Sequence, residues 1–207
     1  DNHDFWVVKI DSLGTILWEN CFGNINDNRS SDIIQLIDST YIVVGSTLEN
    51  GGDVTVHYGG LDWWVIHLSN TGDLIWEKTY GGSGLDFCVE VIEWGLDKYI
   101  LAGETYSDDF DIPYKNGVSD AWIVMIDSIG NIIWNNTLGG SNGENLGIIN
   151  KLSNNTVITT GFSLSDDFDV FENFGEADAW VAIIDSNGTL LSEKSIGGSQ
   201  LDRSYAV

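Results

Sequence analysis

The stretch DWWVIHLSNTGDLIWEKTYGGS, residues 62–83, decides the fold. Trp64-Val65-Ile66-His67-Leu68 is a short run of aromatic, aliphatic and β-branched residues that reads as a strand. It ends at Ser69-Asn70-Thr71-Gly72, where a glycine free to take positive φ suits a hairpin turn. Leu74-Ile75-Trp76-Glu77-Lys78-Thr79-Tyr80 returns as a second strand, which Gly81-Gly82 stops. A third strand lies near Phe87 to Trp94 and a fourth at Tyr99-Ile100-Leu101-Ala102 before Gly103, and a polar loop from Ser107 to Ser119 follows.

The stretch recurs. Asp4-Phe5-Trp6, Asp62-Trp63-Trp64, Asp120-Ala121-Trp122 and Asp178-Ala179-Trp180 stand 58 residues apart, and Gly14, Gly72, Gly130 and Gly188 keep the same spacing. Trp18, Trp76 and Trp134 share another position, where Ser192 breaks the series. The chain is a single repeat domain, 1–207, with units 4–61, 62–119, 120–177 and an incomplete 178–207. No segment sustains the three-and-four apolar spacing of a helix, so the chain is all-β.

The first strand of the unit is apolar on both faces: Trp122, Val124 and Ile126 point one way, Ala121, Ile123 and Met125 the other. Such a strand needs a layer above and a layer below. A two-layer sandwich leaves one face polar, whereas a radial stack of four-stranded antiparallel blades covers both. The expectation is a β-propeller, a partial one of about three and a half blades; a β-solenoid is the alternative, and 58 residues is long for one coil. Counted unit by unit the chain holds fifteen strands, one short of four blades, with the unfinished blade in the copy that starts at Asp178. Its open edge calls for cover by other blades of a longer parent chain or by a second copy.

The charge narrows the partners. Asp and Glu number 32 against 8 Lys and Arg, a formal net charge of −24, and no basic run offsets it. That balance repels a phosphate backbone and an anionic lipid surface, which excludes nucleic-acid binding and membrane insertion from the reading. With 43% apolar and 12% aromatic residues the chain folds rather than staying disordered. No apolar run reaches the roughly 18 residues of a spanning helix. The sequence begins at Asp1 without Met or a signal-like stretch, and reads as a processed or excised piece. Cys21 and Cys88 occupy different offsets of the repeat; they read as two small buried side chains, with a bridge between them as the other reading.

Catalysis needs an asymmetric constellation, and few residues break the repeat. His3, His57 and His67 stand at no metal-ligand spacing. Gly81-Gly82-Ser83 follows a strand but lacks the lysine and the helix of a phosphate loop, so it reads as a turn. Asp4, Asp62, Asp120 and Asp178 repeat in place, as do Asp86, Glu144 and Asp202 with Asn28 in the first copy. Repetition gives them a structural role, accepting N–H bonds from a neighbouring glycine turn. Ser107-Asp108-Asp109-Phe110-Asp111 and Ser165-Asp166-Asp167-Phe168-Asp169 crowd three carboxylates into four residues, which makes Asp109, Asp111, Asp167 and Asp169 the candidate calcium ligands. No other cofactor is suggested. No nucleophile–base pair is visible, so the chain is not expected to be an enzyme.

The pattern D-x-W-V-x-x-I-D-S-x-G-x-I-x-W, then G-G-S, then Y-I-x-x-G-x-T/S-x-S-D-D-F-D, resembles the propeller-like repeats of secreted and cell-surface proteins of Bacteroidota, many of them substrates of the type IX secretion system. The resemblance implies an extracellular, non-enzymatic scaffold or interaction module of a larger secreted or surface protein, with a protein or glycan partner. A glycan-binding or glycan-hydrolysing propeller is the alternative. It also makes Ser12, Ser39 and Ser128, each after an Asp and before an aliphatic residue or Thr, candidate O-glycan acceptors. An analogy with quinoprotein propellers gives Trp18, Trp76 and Trp134 the role of docking one blade on the next.

Overall fold

A computed structural model describes residues 3–207. Among them are fourteen strands, β1(Phe5–Ile10), β2(Ile16–Phe22), β3(Asn28–Gln35), β4(Tyr41–Thr47), β5(Asp62–Leu68), β6(Leu74–Tyr80), β7(Asp86–Gly95), β8(Lys98–Thr105), β9(Asp120–Asp127), β10(Ile132–Leu138), β11(Glu144–Lys151), β12(Val157–Ser163), β13(Asp178–Ile184) and β14(Leu190–Ile196). All pairings are antiparallel: a two-stranded sheet β1-β2, then four-stranded sheets β3-β4-β5-β6, β7-β8-β9-β10 and β11-β12-β13-β14. Strand β7 packs against β3, β4 and β5, and β11 packs against β7, β8 and β9, so the sheets stack face to face with their β3, β7 and β11 edges converging. The architecture is all-β and propeller-like.

The sheets are phased differently from the sequence units. Each four-stranded sheet takes the third and fourth strands of one unit and the first and second of the next, so the first complete sheet opens at Asn28 and not at Asp4. The strand count is fourteen rather than fifteen, because residues 201–207 form no strand. They follow the course of β3, β7 and β11, with the Asp202 amide bonded to the Ala177 carbonyl at 2.7 Å and the Ser204 amide to the Gly161 carbonyl at 3.2 Å, but among the described residues no strand lies on their other side. The last sheet is complete, and the half-built sheet is the N-terminal hairpin. This reverses the expectation that the open blade lies in the copy starting at Asp178.

Local chemistry explains the connections. In the hairpin turns Gly14, Gly72, Gly130 and Gly188 sit at φ 83, 86, 80 and 82, and the register slips beside each turn, as a positive-φ bulge requires. The Asp11, Asp127 and Asp185 carboxylates accept amides two and four residues on, and these bonds pull their pKa below the usual carboxylate value, at Asp127 against the opposing effect of burial. The turns at Gly72, Gly130 and Gly188 each dock on the preceding sheet. The indoles of Trp18, Trp76 and Trp134 donate to the carbonyls of Asn70, Ser128 and Ser186 at 3.1, 3.0 and 3.0 Å.

The core lies between the sheets. Trp63, Trp64, Trp122 and Trp180 are fully buried, and the stacking runs from sheet to sheet: Phe5 on Trp64 at 4.6 Å between ring centres, Trp63 on Trp122 at 4.2 Å. Each such pair adds about 0.5–1.5 kcal/mol beyond the area it buries. Edge strands are joined by polar bonds as well, the Asp32 carboxylate accepting the Val91 amide at 3.1 Å and Glu90 accepting that of Ile149 at 2.6 Å.

Candidate functional site

The carboxylates of the repeat gather where the chain leaves one sheet for the next. Between β6 and β7 the link Gly81-Gly82-Ser83 runs through a space with no room for side chains. A Cβ on Gly81 would stand 2.2 Å from Asp62 Oδ1 and 2.8 Å from Asp86 Oδ2, and one on Gly82 would meet Ser107 at 2.4 Å. Three acids bond amides of this link, and a fourth, Asp62, stands against it. Asp86 Oδ2 accepts the Gly82 amide at 2.7 Å and the Ser107 hydroxyl at 2.9 Å, while its other oxygen takes the Thr105 hydroxyl. Asp109 accepts the Ser83 amide at 2.7 Å, Asp111 accepts that of Gly81 at 3.3 Å, and Asp62 holds the Tyr58 amide at 2.6 Å.

The next joint repeats the arrangement. Glu144 accepts the Gly140 amide at 2.6 Å and the Ser163 hydroxyl at 2.8 Å, Asp167 accepts Ser141 at 2.7 Å, Asp169 accepts Gly139 at 3.2 Å, and Asp120 accepts Asn116 and Gly117. The loop residues Phe110 and Phe168 adopt left-handed φ of 53 and 54, and Gly52 holds φ 55 at the same place in the first copy. This left-handed step lets the acids on either side of it reach one turn. Asp178 binds the Phe174 amide and Asp202 that of Gly198, whereas Asp4 is exposed and Asn28 stands in for the acid, bonding Asn24 and Asn26.

Burial sets the electrostatics. It raises Asp62 from 3.8 to about 7, with the neighbouring Asp86 charge adding to the effect, and it raises Asp86, Asp111, Asp120 and Asp169 in the same direction. One repeat position sets a basic side chain beside these acids: His57 Nε2 lies 3.5 Å from Asp62, and the Lys115 charge works against the rise at Asp120. Among the described residues no group of three or more His, Cys, Asp or Glu is placed to hold a metal ion. Asp109, Asp111, Asp167 and Asp169 each accept a turn amide.

The remaining sequence candidates stay apart. His3 pairs with Asp27 at 3.0 Å and His67 meets the Thr40 hydroxyl at 2.8 Å, so the three histidines share no site. Both cysteines are free; Cys88 is buried as read from the sequence, but Cys21 is exposed because β2 is the outer strand of a sheet with an open face. Ser12 and Ser39 are exposed on turns, and Ser128 is half-buried under the Trp76 indole that its carbonyl receives.

Open grooves lie beside β1 and, at matching repeat positions, between the complete sheets. Along β1 and β3 runs an open groove of about 390 Å³ lined by Trp6, Val8, Ser31, Ile33 and Val43. Trp6 is 62% exposed although Trp64, Trp122 and Trp180, its counterparts, are at 0%. Trp6 shares the repeat position of the three buried tryptophans, so only the sheet phase, which the repeat does not define, reveals the difference. A second groove, about 470 Å³, lies between the second and third complete sheets and presents Glu104, Tyr106, Asn142, Phe162 and Arg203. The Arg203 guanidinium sits 4.3 Å from the Phe162 ring centre.

Fold and joints together define a class: an all-β, propeller-like stack of repeated antiparallel sheets pinned by carboxylate-capped glycine turns. No family model matches the chain and no curated protein matches it. Among solved structures, the crystal structure of BamB from Moraxella catarrhalis is similar to it at 13% identity with a TM-score of 0.39, over 95% of this chain and 60% of that one. The chain thus spans about three fifths of the length of that protein.

Proposed function

We propose that the chain is a non-enzymatic segment of an extracellular propeller, about three and a half blades of it, that serves as a scaffold or interaction module in a larger secreted or surface protein. One observation carries this reading. The acids of the two complete joints, which in a hydrolase would be free to exchange protons with a substrate, hold backbone amides of the glycine turns in matching sets. A catalytic pair has to depart from that symmetry. The extracellular setting rests on the resemblance of the repeat to exported proteins of Bacteroidota.

The full chain is expected to turn over no peptide, ester or glycoside substrate. Hydrolysis abolished by a single substitution in a joint would overturn the reading. Fractionation of the producing cells is expected to place the protein in the medium or on the surface. Glycan binding is the second reading, favoured by the groove that sets Tyr106 and Phe162 beside Glu104, Asn142 and Arg203. Selective retention on a glycan array, lost in Tyr106→Ala, would establish it over the protein-scaffold reading.

A further inference from the structure

The groove beside β1 has the form of a vacant strand position. In the three complete sheets the counterpart of β1 is β5, β9 or β13, and each pairs on one side with an outer strand and on the other with β4, β8 or β12. Strand β1 pairs with β2 alone, so its other edge carries no strand among the described residues. That edge faces the groove, whose far wall is β3 and whose floor includes Val43. In the next joint β7 packs against β4 as well as β3, so β4 fills there the space that stays open beside β1.

The occupant can be described from the repeat. Strands β4, β8 and β12 read Tyr41-Ile42-Val43-Val44-Gly45-Ser46-Thr47, Tyr99-Ile100-Leu101-Ala102-Gly103-Glu104-Thr105 and Val157-Ile158-Thr159-Thr160-Gly161-Phe162-Ser163. They share an isoleucine, a glycine three residues on and a hydroxyl two residues further. The glycine lies opposite the indole-bearing residue every time: Gly45 against Trp64, Gly103 against Trp122, Gly161 against Trp180. A Cβ there would stand 2.0, 1.9 or 1.8 Å from the carbonyl oxygen of Arg29, Phe87 or Asn145 on β3, β7 or β11, the neighbouring strand on the side away from the tryptophan.

We propose that the β1 edge binds an antiparallel strand of this type, contributed by a further repeat of the same kind, with its glycine opposite Trp6 and its hydroxyl residue opposite Asp4. A second copy of the present chain cannot lend such a strand, because β4, β8 and β12 are each paired on both sides at the centre of a sheet. The partner is a strand from outside the described sheets. Backbone bonds to β1 supply the affinity. This inference rests on the interaction-module reading. Turnover of a substrate would sink that reading and leave strand addition intact, while failure of strand addition leaves the scaffold reading standing.

The test adds to the full chain a synthetic peptide with the sequence of residues 38–49, flanked by lysines, and follows amide hydrogen exchange. Amides of residues 5–10 are expected to exchange at least about tenfold more slowly with peptide bound, while those of β14, also an edge strand, are unchanged. A peptide of the same composition in scrambled order is expected to give no protection. Three results would overturn the proposal: no change along β1 at saturating peptide, equal protection by the scrambled peptide, or a dimer by light scattering whose β1 amides are protected without any peptide.

Discussion

Trp6 and Trp64 hold the same place in the repeat, on strands of the same length class, and their indoles donate to the same partner, Glu19 Oε2 at 3.3 Å and Glu77 Oε2 at 2.9 Å. Their surroundings differ entirely: Trp64 lies under Phe5 at 0% exposure, and Trp6 is 62% exposed. Ile10 and Leu68 repeat the contrast, at 58% and 0%. Burial here is a property of the neighbouring sheet and not of the sequence position. A repeat can write the same apolar face into every copy, and only stacking decides which copies stabilise the fold.

Substitution at the two tryptophans gives the largest separation. Trp64→Ala removes a fully buried ring from between two sheets and is expected to cost about 3–5 kcal/mol, whereas Trp6→Ala should cost less than about 1 kcal/mol. Denaturant unfolding of both variants checks this. Equal losses would mean that the hairpin sheet is covered in solution.

The aspartates at the head of the same strands provide the second comparison. Asp62 is buried and titrates at about 7 in the folded chain, against 3.8 when unfolded. Between those values the folded chain keeps a proton that the unfolded chain has released. The stability contributed by this group is therefore full below pH 4 and is lost as pH rises to 7. Asp62→Asn is expected to flatten the pH profile and to gain on the order of 1–3 kcal/mol at pH 8, while Asp4→Asn at the exposed counterpart changes stability by less than about 0.5 kcal/mol. Melting curves from pH 4 to 8 separate the two, and an unaltered profile for Asp62→Asn would refute the assignment.

Calcium offers the smallest expected effect. If Asp109, Asp111, Asp167 and Asp169 act only as amide caps, millimolar calcium leaves the melting temperature where it was. A rise that disappears in Asp109→Asn with Asp167→Asn would give these loops the metal role their composition suggested.

The hairpins, the turn glycines and the doubly apolar first strand were legible in the sequence because each depends on residues a few positions apart. The DDFD loops were legible as acidic but not as caps, since the amides they receive lie more than twenty residues earlier, on Gly81 and Ser83. Sheet phase was illegible for a related reason. A periodic sequence looks the same from any starting point, so Asp4 is as good an origin as Asn28, and only the space-filling of Gly81-Gly82 marks where the chain crosses between sheets. The exposed Trp6 and the groove beside it follow from that origin, which is why they were missed.

The mismatch between unit and sheet bears on how such a chain can grow. Each 58-residue unit supplies half of one sheet and half of the next, and the period is held from Asp4 to Asp178 without insertion. A recombination event that duplicates 58 residues from any starting point therefore lengthens the stack by one whole sheet. The breakpoint can fall in the middle of a strand and still leave every ladder in register. Sequence drift between copies is free to begin anywhere, while the count of sheets changes only in whole steps.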